Sequence, residues 1–249
     1  GSVGWGDAVV LIPYAIYKRT RDTQVLQENY TMMKKWVNYL ESRAKARPDN
    51  LLEDEVPTFE DYTIDTGVDY GEWCEPGVNN MMNMRTPQTK VATAYFAYSS
   101  RLLSEIARIL DEKEDAEYFG QVAENARKAF RACATVDGKI ESERQADYVR
   151  ALHFNLLNPE ESKVAAAKLN ELVVDAGYHL NTGFLSTPNI CRVLTEYGYA
   201  DTAYRLLLQE TAPSWLYSVN KGATTVWETW DGIDENGNAK ESLNHYSYG

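Results

Sequence analysis

A run of seven residues near the C-terminal end combines aromatic and acidic side chains. Residues 225–231 read Thr-Val-Trp-Glu-Thr-Trp-Asp, so that Glu228 lies between two tryptophans. Sugar-processing sites use this combination, because indole faces cover the apolar C–H faces of a sugar ring while a carboxylate moves a proton or activates water. Alternatively, Trp227 and Trp230, three residues apart, are core residues beside a solvated acid. The run alone leaves both interpretations open.

Four other segments group acids, aromatics and glycines: 4–8, 69–77, 180–184 and 242–246. Each has an ordinary structural explanation, such as a helix N-cap, a solvated acidic loop held by one tryptophan, or a satisfied histidine. All of them lie between predicted helices or at helix starts. In a ring of helical hairpins, such segments can gather at one end and line one pit. The candidate side chains there are Trp5, Asp7, Glu72, Trp73 and His245.

Composition argues against several kinds of partner and site. The net charge of −12 and the pI of about 4.8 disfavour a nucleic-acid partner, which needs clustered lysine and arginine. No apolar run approaches the ~20 residues of a membrane span, so no membrane partner is expected. Cys74, Cys133 and Cys191 have no metal-binding spacing, and no phosphate loop is visible. We expect no cofactor, and the sequence does not indicate a compartment.

Helical periodicity dominates the rest of the chain. Apolar residues recur at intervals of three and four over 26–40, 91–109 and 118–130, and each stripe predicts an amphipathic helix. Asn158 followed by Pro159 predicts a helix start, as does Thr187. Asp201 is expected to cap a further helix. The irregular stretch 48–84 resembles a functional insert in an all-α protein built of helical hairpins.

Five of these segments, taken together, resemble the bacterial α-L-rhamnosidases. They occur in the family's order with similar spacing, and the resemblance covers nearly the whole chain. It implies an (α/α)6 toroid of helical hairpins that hydrolyses terminal α-L-rhamnosyl groups with inversion at the anomeric carbon. The segments are 4–8 (Gly-Trp-Gly-Asp-Ala), 70–73 (Tyr-Gly-Glu-Trp), 180–184 (Leu-Asn-Thr-Gly-Phe), 224–231, and 244–249 (Asn-His-Tyr-Ser-Tyr-Gly).

The resemblance also implies roles for individual residues. Glu228 corresponds to the general base, and Asp7 to the acid that holds sugar hydroxyls. Trp73 would be the stacking platform, and His245 would line the sugar pocket. Glu72 stands where the family more commonly has aspartate. Trp5, Trp227 and Trp230 complete the expected set of sugar contacts.

Two departures from the family pattern concern the first motif. Trp5 is separated from Gly6-Asp7 by one residue fewer than in the family, so it need not superpose on the family's tryptophan. The family's general acid is a glutamate a few residues before this motif, which would lie upstream of residue 1. We therefore expect residues 1–249 to form the central and C-terminal part of a barrel that is incomplete at both ends. The other domains of a larger parent chain are then expected partners.

Other functions remain open at this stage. The chain could be another (α/α)-barrel glycosidase or lyase, with the same aromatic and acidic pit but different acids. It could also be a non-catalytic helical domain that binds carbohydrate without turnover. A solenoid is disfavoured because no period of 30 to 45 residues is present. A rhamnose-containing oligosaccharide or glycoside is the expected substrate.

Overall fold

The computed structural model describes residues 1–46, 62–234, 236–246 and 248. These residues form two compact units, one of residues 1–71 and 84–136, the other of residues 72–83 and 137–249. The predicted all-α class is confirmed, since the strands are only two residues long. In chain order the elements are α1 (Ala8–Thr20), α2 (Gln24–Lys45), α3 (Asn80–Asn83), α4 (Thr89–Ile109), α5 (Lys113–Ala134), β1 (Thr135–Val136), β2 (Lys139–Ile140), α6 (Gln145–His153), α7 (Pro159–Asp175), α8 (Thr187–Glu196), α9 (Ala200–Leu207) and α10 (Trp215–Asn220).

Helix α4 is the centre of the first unit. It contacts α1, α2 and α5, and its buried residues are distributed around most of its circumference. Phe96, Leu103 and Ile106 are among the largest of them. A helix surrounded by other helices needs apolar residues on more than one stripe. The apolar stripe predicted for α2 is fully buried, as expected, at Leu26, Tyr30, Met33, Val37 and Leu40.

Two details of the helix predictions are wrong. Tyr118 of α5 is exposed and its hydroxyl donates to Glu41 Oε2 at 2.6 Å, whereas its neighbour Phe119 is buried. The polar hydroxyl of tyrosine favours the surface position, and phenylalanine takes the core position. Asp201 does not cap α9, which begins one residue earlier, at Ala200. Its carboxylate lies in the first turn, where the partial positive charge of the helix N-terminus favours an acid.

The second unit contains α6 to α10 and the short α3. Helix α6 contacts α7 and α8, and α8 contacts α9. The predicted start of α7 is confirmed, because the Asn158 backbone N–H donates to Glu161 Oε2 at 2.9 Å in a capping box. Residues 178–186 and 221–234 are non-helical, and the second of these segments carries Trp227, Glu228 and Trp230.

The irregular insert predicted over 48–84 is described only in part, since residues 47–61 lie outside the described residues. From residue 62 to residue 79 the chain forms neither helix nor strand. Along the described part of the chain, none of the helices has both the length and the apolar character needed to cross a bilayer.

Two adjacent methionines of α2 test the buried stripe. Met33 is fully buried, whereas Met32 is 54% exposed. We expect Met33→Ala to lower the free energy of unfolding by about 2–5 kcal/mol, because it removes apolar contacts and leaves a cavity. Met32→Ala should change it by less than about 0.5 kcal/mol. Urea denaturation of both variants checks this, and equal losses would contradict the assignment of the buried face.

Candidate active site

Trp230 is buried within a group of aromatic rings in the second unit. Its ring stacks on Tyr248 with centroids 4.0 Å apart and an interplanar angle of 25°, and it meets Trp215 edge-on at 5.6 Å. Phe184 contacts Tyr248 edge-on at 4.9 Å and stacks on His245 at 5.0 Å. We call these five side chains, Phe184, Trp215, Trp230, His245 and Tyr248, the aromatic cluster.

Trp227 is also buried, and it packs against a glycine. A Cβ atom at Gly232 would lie only 3.0 Å from the Trp227 ring, so a larger residue there would force the indole to move. Trp227 and Trp230 both line a cleft of about 270 Å³ together with Trp215 and Tyr248. The two tryptophans of the 225–231 run are therefore packed residues, as the structural interpretation expected, and they also form the wall of an open cleft.

Glu228, between these two tryptophans, is half-buried. Its backbone N–H donates to Ser242 O at 2.9 Å, and the N–H of His245 donates to Val226 O at 2.7 Å. These two bonds hold the 225–231 run against residues 242–245. The Glu228 carboxylate accepts a long hydrogen bond, 3.4 Å, from the Ser242 backbone N–H. The run is thus fixed through its backbone, and the acidic side chain is only weakly engaged.

Glu72, in contrast, is completely buried and tightly held. Its Oε1 accepts from the backbone N–H groups of Gly183 and Ser186 at 3.0 and 2.9 Å. Its Oε2 accepts from Ser186 Oγ at 2.8 Å and from the Arg150 guanidinium at 3.2 Å. Burial raises the pKa of Glu72, and the charge of Arg150 and the Ser186 hydroxyl oppose that rise. The carboxylate links residue 72 to the turn before α8.

Trp73, the residue after Glu72, packs its backbone against the same turn. The carbonyl of Trp73 accepts from the Phe184 N–H at 2.9 Å, and a Cβ atom at Gly183 would lie 2.2 Å from that carbonyl oxygen. Glycine is therefore required at 183. The Trp73 side chain is half-buried. Two residues on, the buried Glu75 pairs with Arg144, whose Nε lies 3.0 and 3.1 Å from the two carboxylate oxygens.

Asp7 belongs to the first unit and is completely buried. Its Oδ1 accepts from Trp36 Nε1 at 3.0 Å and from Ser99 Oγ at 2.5 Å, and its Oδ2 accepts from the Gly4 backbone N–H at 2.7 Å. Asp7 occupies the N-cap position of α1, as expected of a helix start, but its side chain makes no cap hydrogen bond to that helix. Burial raises its pKa, and the hydrogen bonds from Ser99 and Trp36 partly oppose that rise.

Two neighbours of Asp7 in sequence, Val3 and Trp5, contact residues 69 and 70. Trp5, which is half-buried, contacts Tyr70 edge-on at 5.8 Å. The buried Asp69 accepts from the Val3 N–H at 2.7 Å and pairs with both terminal nitrogens of Arg43, at 2.9 and 3.1 Å. In the first unit, Trp5 and Asp7 therefore lie in a small network that holds residues 3–7 in place.

The sequence-based candidate list missed Tyr248 and the two arginines that pair with buried acids in the second unit. Tyr248 stood in a quoted motif, but its type gave no sign that it packs on Trp230. Arg144 and Arg150 are six residues apart at and within α6, and an isolated arginine on an amphipathic helix usually indicates a solvated face. The signal that could have found them is the number of acids in 69–75, since acids buried in a loop need cationic partners.

Comparison with known proteins places this geometry in a family. The model of the bacterial α-L-rhamnosidase six-hairpin glycosidase domain matches residues 1–249. The chain belongs to this family. An α-L-rhamnosidase of Formosa agariphila is 38% identical over 100% of this chain and 26% of its own length. One of Streptomyces avermitilis is 38% identical over 100% of this chain and 22% of its own length. The chain thus spans about a quarter of these curated relatives.

Solved structures agree with the family assignment. The crystal structure of Streptomyces avermitilis α-L-rhamnosidase complexed with L-rhamnose matches 100% of this chain and 22% of that chain, with a TM-score of 0.84 and 36% identity. The native Aspergillus terreus enzyme matches 100% of this chain and 28% of that chain, with a TM-score of 0.85 and 28% identity. The predicted hairpin fold class is confirmed. The individual site residues and the domain boundaries stay predictions.

Glu72 can be tested as a structural or a sugar-binding residue. Glu72→Gln replaces an acceptor oxygen with an NH2 group that faces other donors, so we expect a loss of about 3–5 kcal/mol in the free energy of unfolding. Glu160→Gln, which breaks an exposed pair with Lys163, should cost less than about 1 kcal/mol. Denaturant titration measures both. Unchanged stability with weakened sugar binding would instead assign Glu72 to the substrate.

Asp7 should make stability depend on pH. Its folded-state pKa lies above its ordinary value of 3.8, so the folded protein binds this proton more tightly than the unfolded chain. The associated stability is full below pH 3.8 and is lost as pH rises towards the folded-state pKa, by up to about 1.4 kcal/mol per pH unit. Asp7→Asn should remove this decline, whereas the exposed Asp22→Asn should follow the wild type. Parallel pH profiles for all three proteins would contradict the assignment.

Proposed function

We propose that this chain is part of the catalytic domain of a glycoside hydrolase that removes terminal α-L-rhamnosyl groups with inversion. Its substrate is a rhamnose-containing oligosaccharide or glycoside, and Glu228 is the general base. The family membership supports the reaction class. Similarity to an α-L-rhamnosidase solved with L-rhamnose supports the sugar.

The observation that carries the assignment of Glu228 is the difference between three neighbouring acids. Glu72, Glu75 and Glu228 all raise the pKa of Tyr248 through their negative charge, so they share its surroundings. The first two have their oxygens occupied by Arg150, Arg144 and the turn before α8. Within the described residues, the Glu228 carboxylate accepts only the 3.4 Å bond from Ser242. Glu228 is therefore the acid of this set that can engage a water molecule.

The chemistry follows from that availability. An ionised Glu228 removes a proton from water as the water attacks the anomeric carbon from the face opposite the leaving group. The leaving oxygen must receive a proton from a second carboxyl group about 6.5–9.5 Å from the base. We propose that this acid lies upstream of residue 1, in the other part of the parent chain. After the reaction Glu228 carries the proton taken from water and the acid has lost its own, so proton exchange with solvent restores both groups before the next turnover.

Aromatic faces and enclosed acids have separate proposed tasks. Trp73 and His245, both half-buried, are the proposed sugar contacts with accessible ring surface. Trp5 is the corresponding candidate in the first unit. Asp7 and Glu72 stay candidates for contacts to sugar hydroxyls, although their oxygens are bonded to protein donors. Trp227 and Trp230 contribute the packed wall behind Glu228.

Glu228→Gln in the complete protein tests the proposal. The amide keeps the size of the side chain but cannot accept the proton, so we expect turnover of an aryl α-L-rhamnoside to fall by about 10²–10⁴. Rhamnose affinity should stay within about tenfold, because the loss is confined to the transition state. Glu241→Gln, an exposed acid in the facing segment, is the matched control and should retain turnover.

The other outcomes identify the alternatives. Sugar binding without turnover in the wild type would indicate a non-catalytic carbohydrate-binding domain. Turnover of glucosides or of uronic-acid polymers in place of rhamnosides would indicate another (α/α)-barrel glycosidase or a lyase. Full activity of Glu228→Gln would show that a different acid is the base.

A further inference from the structure

Tyr248 contacts four segments of the second unit through one side chain and one carbonyl. Its hydroxyl donates to the carbonyl oxygen of Cys74 at 2.6 Å, and its own carbonyl accepts from Trp215 Nε1 at 3.1 Å. Its ring stacks on Trp230 at 4.0 Å and meets Phe184 edge-on at 4.9 Å. Tyr248 is buried, and it contacts Trp215, which precedes the proposed base Glu228 in sequence, and Trp230, which follows it.

Trp230 depends on this packing for its position. The 225–231 run contains no helix or strand that would fix it by regular hydrogen bonding. The indole nitrogen of Trp230 is buried and has no hydrogen-bond partner among the described residues. The Trp230 ring packs with its face against Tyr248 and its edge against Trp215. Because Glu228 lies two residues earlier in the same run, displacement of Trp230 would disturb the backbone next to the base.

The Tyr248 hydroxyl bonds to a loop whose backbone is itself fixed. Cys74, whose carbonyl accepts the hydroxyl, has a left-handed backbone with φ of 56°, and its N–H donates to Asn80 Oδ1 at 2.8 Å. Cys74 follows Trp73 directly, so the tyrosine hydroxyl holds the loop that carries the proposed stacking platform. Burial and the surrounding carboxylates raise the pKa of Tyr248, which keeps the hydroxyl protonated as a donor.

We propose that Tyr248 is a positioning residue, which sets the distance between the Glu228 run and the loop of Trp73. This inference rests on the proposed function, because it assigns Tyr248 to the same reaction. Tyr248 does not contact the reacting atoms in this scheme. It acts through Trp230 on one side and through the Cys74 carbonyl on the other. These two contacts fix the position of Glu228 relative to the ring of Trp73.

The test compares two buried tyrosines in the complete protein. Tyr248→Phe keeps the ring stack and removes only the bond to Cys74. The control is Tyr148→Phe, which removes a buried hydroxyl that donates to the carbonyls of Ile140 and Ser142 at 3.1 and 2.7 Å. We expect Tyr248→Phe to lower kcat by about tenfold or more with KM within about threefold, because misplacement of a catalytic group costs rate. Tyr148→Phe should lower the thermal midpoint similarly but leave kcat within about twofold.

A double variant separates positioning from a general loss of structure. If Tyr248 acts through the base, adding Tyr248→Phe to Glu228→Gln should reduce turnover by less than about twofold further, since the residues act as a unit. Multiplicative losses, or equal kcat losses in the two tyrosine variants, would overturn the inference. Wild-type kcat in Tyr248→Phe would overturn it as well.

Crystal structures of the wild type and of Tyr248→Phe test the positioning role without relying on any measured activity. If the wild type hydrolyses no rhamnoside, the proposed reaction fails, but the positioning claim is still decided by the coordinates. A change of more than about 0.5 Å in the distance between the Glu228 carboxylate and the Trp73 ring in Tyr248→Phe, and not in Tyr148→Phe, would support it. An unchanged distance would overturn it.

Discussion

The Glu72 carboxylate accepts hydrogen bonds from two backbone N–H groups, a serine hydroxyl and an arginine while fully excluded from solvent. The Gly183 and Ser186 backbone N–H groups would lose their hydrogen-bond partner if the carboxylate were removed, so separating residue 72 from the turn at 183–186 would cost free energy. Phe184, which joins the aromatic cluster, lies inside that turn. The placement of the aromatic residues around the proposed base therefore depends on one buried acid.

Buried ion pairs hold two further irregular segments. In the first unit, Asp69 pairs with Arg43 and holds Val3, and in the second unit Glu75 pairs with Arg144. Helices satisfy their own backbone groups, but loops do not, and a buried loop needs side-chain partners. A carboxylate with several donors is an efficient partner because it accepts bonds from more than one segment at once.

The three acids whose charges act on Tyr248 divide into two kinds. Glu72 and Glu75 are saturated by protein donors, and their charges are balanced by Arg150 and Arg144. Glu228 is half-buried and weakly bonded, and it stands on a run fixed through its backbone. Structural acids need complete hydrogen bonding, whereas an acid that activates water needs free oxygen lone pairs. Aromatic packing on Trp230 can hold such a run without occupying the carboxylate.

Sequence patterns alone predicted the helical class, the buried stripe of α2, the start of α7 and the family. These features depend on local periodicity, capping and ordered motifs, which a linear reading contains. They did not predict that Phe119, and not Tyr118, faces the core, or that Glu72 is enclosed. Tertiary contacts decided the partners of each acid, because Arg150 is 78 residues from Glu72 and Tyr248 is 174 residues from Cys74. Such pairings arise from packing between distant segments: the acids in 69–75 indicate that cationic partners are needed, but only the tertiary structure determines which arginine pairs with which acid.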